Sequence, residues 1–142
     1  MSLTILFVDD EPRHTDVYVQ VLRELGHTVE YLQSVDTALE FFKENMERIN
    51  LLVLDIMMPP GKAFKDTDTE VGLKTGVCFF EVVRGLKPDL PVIVLTNVSD
   101  KRVAQKFMEK DNCWFLRKID HDPYELAQWI KNLISEPQEE TK

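Results

Sequence analysis

The chain has 142 residues, 44% of them apolar and 30% charged, the size and composition of one globular domain with a single sizeable core. A net charge of −8 excludes a nucleic-acid surface of the usual kind, because binding a polyanion needs a basic patch and none is visible. No apolar run is long enough to span a bilayer and no signal-peptide pattern opens the chain, so a cytoplasmic protein without a membrane partner is expected.

In chain order, Leu3 to Val8 is an apolar run that ends in Asp9-Asp10-Glu11-Pro12. Pro12 suits the first turn of a helix, where its missing N–H costs nothing. That helix carries Tyr18, Val21, Leu22 and Leu25 on one face and stops at Gly26. His27 to Gln33 is a short strand. The second helix puts Ala38, Leu39, Phe42 and Met46 on one stripe, with Ser34 or Asp36 as its cap.

Leu51 to Leu54 then runs straight into Asp55, and Pro59 closes the segment. Such a continuous apolar run reads as a strand buried on both faces. The following stretch, 60–75, is polar, rich in Gly, Thr and Asp, and aperiodic: a long loop. Helix three covers Val77 to Leu86. Pro91 to Leu95 is a fourth strand, ending in Thr96-Asn97. Ser99 can cap a short helix bearing Val103, Ala104 and Phe107.

Cys113 to Leu116 is a fifth strand and runs into Arg117-Lys118. Asp122-Pro123 starts a last helix with Leu126, Trp129, Ile130, Leu133 and Ile134 inward. Residues 135–142 form a charged tail expected to be disordered. Cys78 and Cys113 have no metal or redox spacing and read as reduced core residues. His14, His27 and His121 also lack metal-ligand spacing and are expected near the surface. The alternation predicts an α/β fold: a parallel sheet with helices on both faces and right-handed crossovers.

In a parallel sheet every carboxyl end points to the same edge, where ligands bind. There stand Asp9 and Asp10, Asp55, Thr96 and Lys118. Three converging carboxylates repel one another unless a proton or a cation intervenes. Mg²⁺ suits such a site, since it takes a few carboxylate oxygens together with waters and a phosphate. Lys118 and Thr96 offer a point charge and a hydroxyl to phosphoryl oxygens. The implied chemistry is Mg²⁺-assisted phosphoryl transfer onto Asp55 as nucleophile. Taken singly, each of these residues reads as a turn former, a cap or plain surface.

The segments Ile5 to Pro12, Leu54 to Pro59, Leu95-Thr96 and Lys118 together resemble the response-regulator receiver domain of two-component signalling, over Leu3 to Leu133. The resemblance implies a doubly wound, flavodoxin-like (βα)5 fold with strand order 2-1-3-4-5, in which residues 1–134 form the receiver and 60–75 an extended loop. It implies phosphorylation of Asp55 by a histidine kinase, a histidine phosphotransfer protein or small phosphodonors. Asp10, Asp55 and the Met57 carbonyl would bind Mg²⁺, with Asp9 assisting through water. Thr96 would move toward the phosphoryl group and Lys118 would pair with it. Phe115 falls at the aromatic switch position, although it reads equally as a core strand aromatic.

Three departures from the family stand out. The lysine is usually followed by a proline in a cis peptide, and here Ile119 follows. A cis bond there would cost ~2.5–4 kcal/mol, so either the bond is trans with a rearranged loop or strain is retained, and Lys118 would be less well aimed. Asn97 replaces a small residue, which predicts an altered dephosphorylation lifetime without fixing its sign. The connection after Asp55 is longer than the family's, either as a tolerated surface insertion or as a lid or partner-docking loop.

No effector domain follows the fifth helix in this sequence, so output is expected through contact with a downstream protein, through a phosphorelay, or through an effector outside it. One competing reading is a phosphorylation-independent docking module that keeps the fold but not the switch. The other is a hydrolase or phosphotransferase with an aspartyl-phosphate intermediate. Haloacid-dehalogenase-type enzymes carry Asp-x-Asp, whereas Ile56-Met57 follow Asp55 here, so a signalling phosphoacceptor is expected rather than an enzyme.

Overall fold

Five apolar runs become five strands in the computed structural model, which describes residues 2–70, 72 and 74–135. They are β1 (Thr4–Val8), β2 (Thr28–Leu32), β3 (Leu51–Leu54), β4 (Val92–Thr96) and β5 (Cys113–Arg117). The helices between and after them are α1 (Pro12–Glu24), α2 (Val35–Asn45), α3 (Thr75–Leu86), α4 (Lys101–Met108) and α5 (Pro123–Ser135). All strand pairs are parallel, in the order β2-β1-β3-β4-β5. The register sets Val8 beside Leu54 and Leu54 beside Val94, so β1, β3 and β4 deliver their next residues to one edge.

Side chains alternate across each strand and split the core in two. Leu6, Val8, Leu52 and Leu54 pack under α2, α3 and α4 against Phe42, Phe79, Phe80 and Phe107. Ile5, Phe7, Leu51 and Val53 pack under α1 and α5 against Leu22, Leu126 and Ile130. Residues of β3 and β4 are buried throughout, which is why both read as unbroken apolar runs. Each buried Leu or Phe contributes about 1.5–3 kcal/mol, and that burial outweighs local propensity.

Local signals differ from expectation in a few places. Leu25 is 57% exposed: α1 ends at Glu24, and Gly26, at φ +100°, turns the chain before the apolar stripe can continue. Ser34 caps α2 by accepting from the Thr37 N–H, which leaves Asp36 free for another contact. Asp100, not Ser99, caps α4, since its carboxylate accepts from both the Arg102 and Val103 N–H groups. The Lys118–Ile119 peptide is trans, and a short 3-10 turn over Lys118–Asp120 leads from β5 toward α5. The tail 136–142 and the inward placement of Ile134 lie outside the described residues and side chains. Among the described residues no helix is long and apolar enough to cross a membrane.

The connection from β3 to α3 is folded back on the protein. Phe64, in the polar stretch, is only 6% exposed and joins the core beneath α2 and α3. Thr69 and Thr75 are buried as well. Period-based reading finds no helix or strand here, and a single anchoring aromatic carries no period.

Candidate functional site

Beyond the carboxyl ends of β1 and β3, Asp9, Asp10 and Asp55 each offer one oxygen such that all three lie within 4.8 Å of one another. Asp9 is 1% exposed and Asp55 6%. The sheet holds them there by its own ladder: Asp9 donates its N–H to the Leu32 carbonyl at 3.2 Å, and Asp55 donates to Val8 at 3.0 Å. One Asp9 oxygen accepts from the Glu11 N–H at 2.9 Å, and one Asp55 oxygen from the Ile56 N–H at 2.7 Å.

Lys118 reaches in from the end of β5. Its Nζ lies 2.7 Å from Asp9 Oδ2 and 3.3 Å from Asp55 Oδ2. The trans peptide before Ile119 therefore does not misdirect the ammonium, contrary to the expectation from the missing proline. Two facing carboxylates, those of Asp9 and Asp55, fix the charged head. Thr96 is fully buried, and its hydroxyl oxygen accepts from the Val98 N–H at 3.2 Å.

These groups bias one another's protonation. Burial raises the pKa of Asp55, and Asp9 raises it further, while Lys118, the Thr96 hydroxyl and the Ile56 N–H pull it back. Burial and the Asp9 charge raise Asp10 too, and its own backbone opposes them. Burial alone would lower Lys118, but Asp55 and Asp9 outweigh it and hold its pKa above the ordinary lysine value. One ammonium thus faces Asp9 and Asp55, and Asp55 and Asp10 both resist ionising. A hard divalent cation with oxygen ligands fits this donor set.

The cluster opens into a cavity of about 640 Å³, lined among others by Asp10, Asp55, Met57, Thr96, Asn97 and Lys118. Asp9 lies beneath it, against Lys118. Phe115 lies apart from this group: it is half-buried, its ring 6.2 Å from that of Phe107 on α4. Other lining residues were assigned no individual role at the site by the sequence. His14 is exposed at the mouth, and Pro60 and Gly72 of the long connection form part of the wall. Gly76 could have been suspected, as a glycine opening a helix just past a loop often marks close backbone approach. A Cβ there would stand 2.2 Å from the Asp55 carbonyl oxygen.

This fold and this edge are those of a receiver domain, and comparison with known proteins agrees. The family model described as the response regulator receiver domain matches residues 5–131, and the chain belongs to that family. The two-component response regulator ARR10 of Arabidopsis thaliana is 29% identical over 118 residues, covering 83% of this chain and 19% of that protein. ORR22 of Oryza sativa subsp. japonica is likewise 29% identical, over 83% of this chain and 15% of its own length. The chain thus spans about a fifth or less of the curated relatives it matches.

Among solved structures, a CheY-like receiver domain protein from Methanospirillum hungatei superposes with a TM-score of 0.73 at 23% identity, covering 99% of both chains, a likeness of fold. Response regulator TrrA from Thermotoga maritima, solved in complex with Mg²⁺-BeF, gives a TM-score of 0.67 at 28% identity, covering 92% of this chain and 98% of that one.

Proposed function

We propose that this receiver accepts a phosphoryl group on Asp55 in a Mg²⁺-dependent reaction and uses the modification to switch a protein–protein contact. The observation that carries the reading is the Asp9, Asp10 and Asp55 cluster within 4.8 Å, with the Lys118 ammonium 3.3 Å from Asp55. Asp10, Asp55 and the Met57 carbonyl would hold the cation directly, with Asp9 assisting through water. Bound there, Mg²⁺ supplies positive charge to phosphoryl oxygens and offsets the carboxylate repulsion.

The chain's own residues account for the rest. An Asp55 carboxylate oxygen attacks phosphorus as the bond from phosphorus to the donor's leaving atom breaks. That atom is a nitrogen in a phosphohistidine of a kinase or histidine phosphotransfer partner, and an oxygen in a small acyl phosphate. Lys118 and Thr96 then bind the new phosphoryl oxygens. Movement of Thr96 toward them frees space that Phe115 and α4 occupy differently in the two states, and so alters the surface a downstream protein reads. The chain acts as signalling acceptor and carries out only its own phosphorylation and dephosphorylation. A cytoplasmic location, where kinase and phosphodonors are at hand, belongs to the same reading.

Intact mass after incubation with acetyl phosphate, with and without Mg²⁺, tests it on the parent and on Asp55→Ala. A single phosphoryl adduct that needs both Mg²⁺ and Asp55 is expected. No adduct on a parent that binds Mg²⁺ would leave a docking module that works without phosphorylation.

A further inference from the structure

We infer that the long connection between β3 and α3 is a positioning element for the cation site, acting through the Met57 carbonyl with Asp36 and Thr75 as its positioning residues; this rests on the metal reading above. Met57 stands between two residues whose backbone groups are tied by the far end of the connection. The Ile56 carbonyl accepts from the Gly76 N–H at 2.7 Å, and Met58 donates its N–H to the Gly72 carbonyl at 3.0 Å. The Met58 carbonyl accepts from the buried Thr75 hydroxyl. With both neighbours held, the peptide that carries the Met57 carbonyl has little freedom to turn. Gly72, at φ +89°, is required: a Cβ there would stand 2.8 Å from the Met58 carbonyl oxygen.

The near end is held as firmly. The Asp36 carboxylate, at the start of α2, accepts from the Lys62 N–H at 2.8 Å and the Ala63 N–H at 2.7 Å. Gly61, at φ +62°, lets the chain close over it, since a Cβ there would meet an Asp36 oxygen at 2.7 Å. These bonds lower the pKa of Asp36, so it stays ionised and accepting through the neutral range. Between the two ends Phe64 enters the core, and the Thr69 hydroxyl accepts from the Gly72 N–H at 3.2 Å. An insertion tolerated merely as surface would have no reason to be tied at both ends and the middle. Pro60 and Gly72 line the cavity together with Met57, so the connection shapes the site in which the Met57 carbonyl would act.

Removing a group that orients a metal ligand typically costs roughly 10–100-fold in metal affinity. Mg²⁺ binding isotherms on the full chain test the assignment, with the parent, Asp36→Ala, Thr75→Val and Lys87→Met. Lys87 holds the Met46 and Ile49 carbonyls at 2.7 and 2.8 Å, at the opposite edge of the sheet, so Lys87→Met should lower Tm and leave the Mg²⁺ Kd unchanged. Asp36→Ala and Thr75→Val should each weaken Mg²⁺ about tenfold with far-UV circular dichroism retained. If Asp36→Ala binds Mg²⁺ as the parent does, the inference is overturned, whether or not Thr75→Val folds. If the parent itself binds no Mg²⁺, the metal reading fails and takes the inference with it.

Discussion

Asp55 sits where its charge is poorly solvated. Burial raises its pKa, with Asp9 adding to the rise, and Asp10 is raised by burial and Asp9 in the same way. In acid below the ordinary carboxylate range both groups are protonated, folded or unfolded, and the penalty vanishes. As pH rises through the raised values, the folded chain must release protons it binds more tightly than the unfolded chain does, so stability falls. Asp55→Asn therefore raises the melting temperature of the metal-free protein at neutral pH and leaves it unchanged in acid, as thermal melts at the two pH values will show. Lys118 works the other way: its raised pKa keeps it charged, and stabilising, until pH passes above the ordinary lysine value. Lys118→Met leaves Asp9 and Asp55 buried without their counter-charge and should cost about 3 kcal/mol in metal-free denaturant melts, part of it recovered by added Mg²⁺. Cys113 takes no part in this chemistry: burial pushes its thiol up to about 12, so it stays neutral in the core.

Helix α3 couples the site to the rest of the fold through its two ends. At its start Gly76 lies against β3, where a Cβ would fall 2.2 Å from the Asp55 carbonyl oxygen and 2.5 Å from Ile56 Cα. Gly76→Ala forces the helix away from the strand, which should cost about 2 kcal/mol or more and slow phosphorylation of Asp55 by acetyl phosphate. Near its other end Arg84 donates to the Pro88 and Leu90 carbonyls, each at 2.7 Å, and to those of Asp111 and Asn112 at 3.3 and 3.2 Å. The guanidinium closes the turns before β4 and β5 at the edge away from the site. Arg84→Ala should lower stability by roughly 2 kcal/mol in urea melts and leave the phosphorylation rate unchanged. Arg84 is an ordinary letter in a helical pattern, and Gly76, although a glycine at a helix start hints at close approach, does not name its partner. Their roles depend on backbone atoms brought close from elsewhere in the chain.

For the molecule as a whole, the proposed cation site would link folding to the cation. A ligand that binds only the folded state stabilises it by about 2.7 kcal/mol at a hundred times its Kd, which for a chain of this length raises Tm by several degrees. Differential scanning calorimetry at neutral pH should show that rise with Mg²⁺ in the parent. In acid, where the carboxylates are protonated, it should disappear; a rise that survives would place the cation elsewhere.

The fold class was legible in the residues because buried parallel strands read as unbroken apolar runs and their helices as amphipathic stripes, signals that are local and periodic. The convergence of Asp9, Asp10, Asp55, Thr96 and Lys118 followed from the same logic, since parallel strands share one carboxyl edge. Three features belong to tertiary structure alone: the course of the connection after Asp55, the burial of Phe64, and the clamp of Asp36 on Lys62 and Ala63. They rest on single contacts between segments far apart in the chain. Such contacts have no period, and only the folded chain can bring them together.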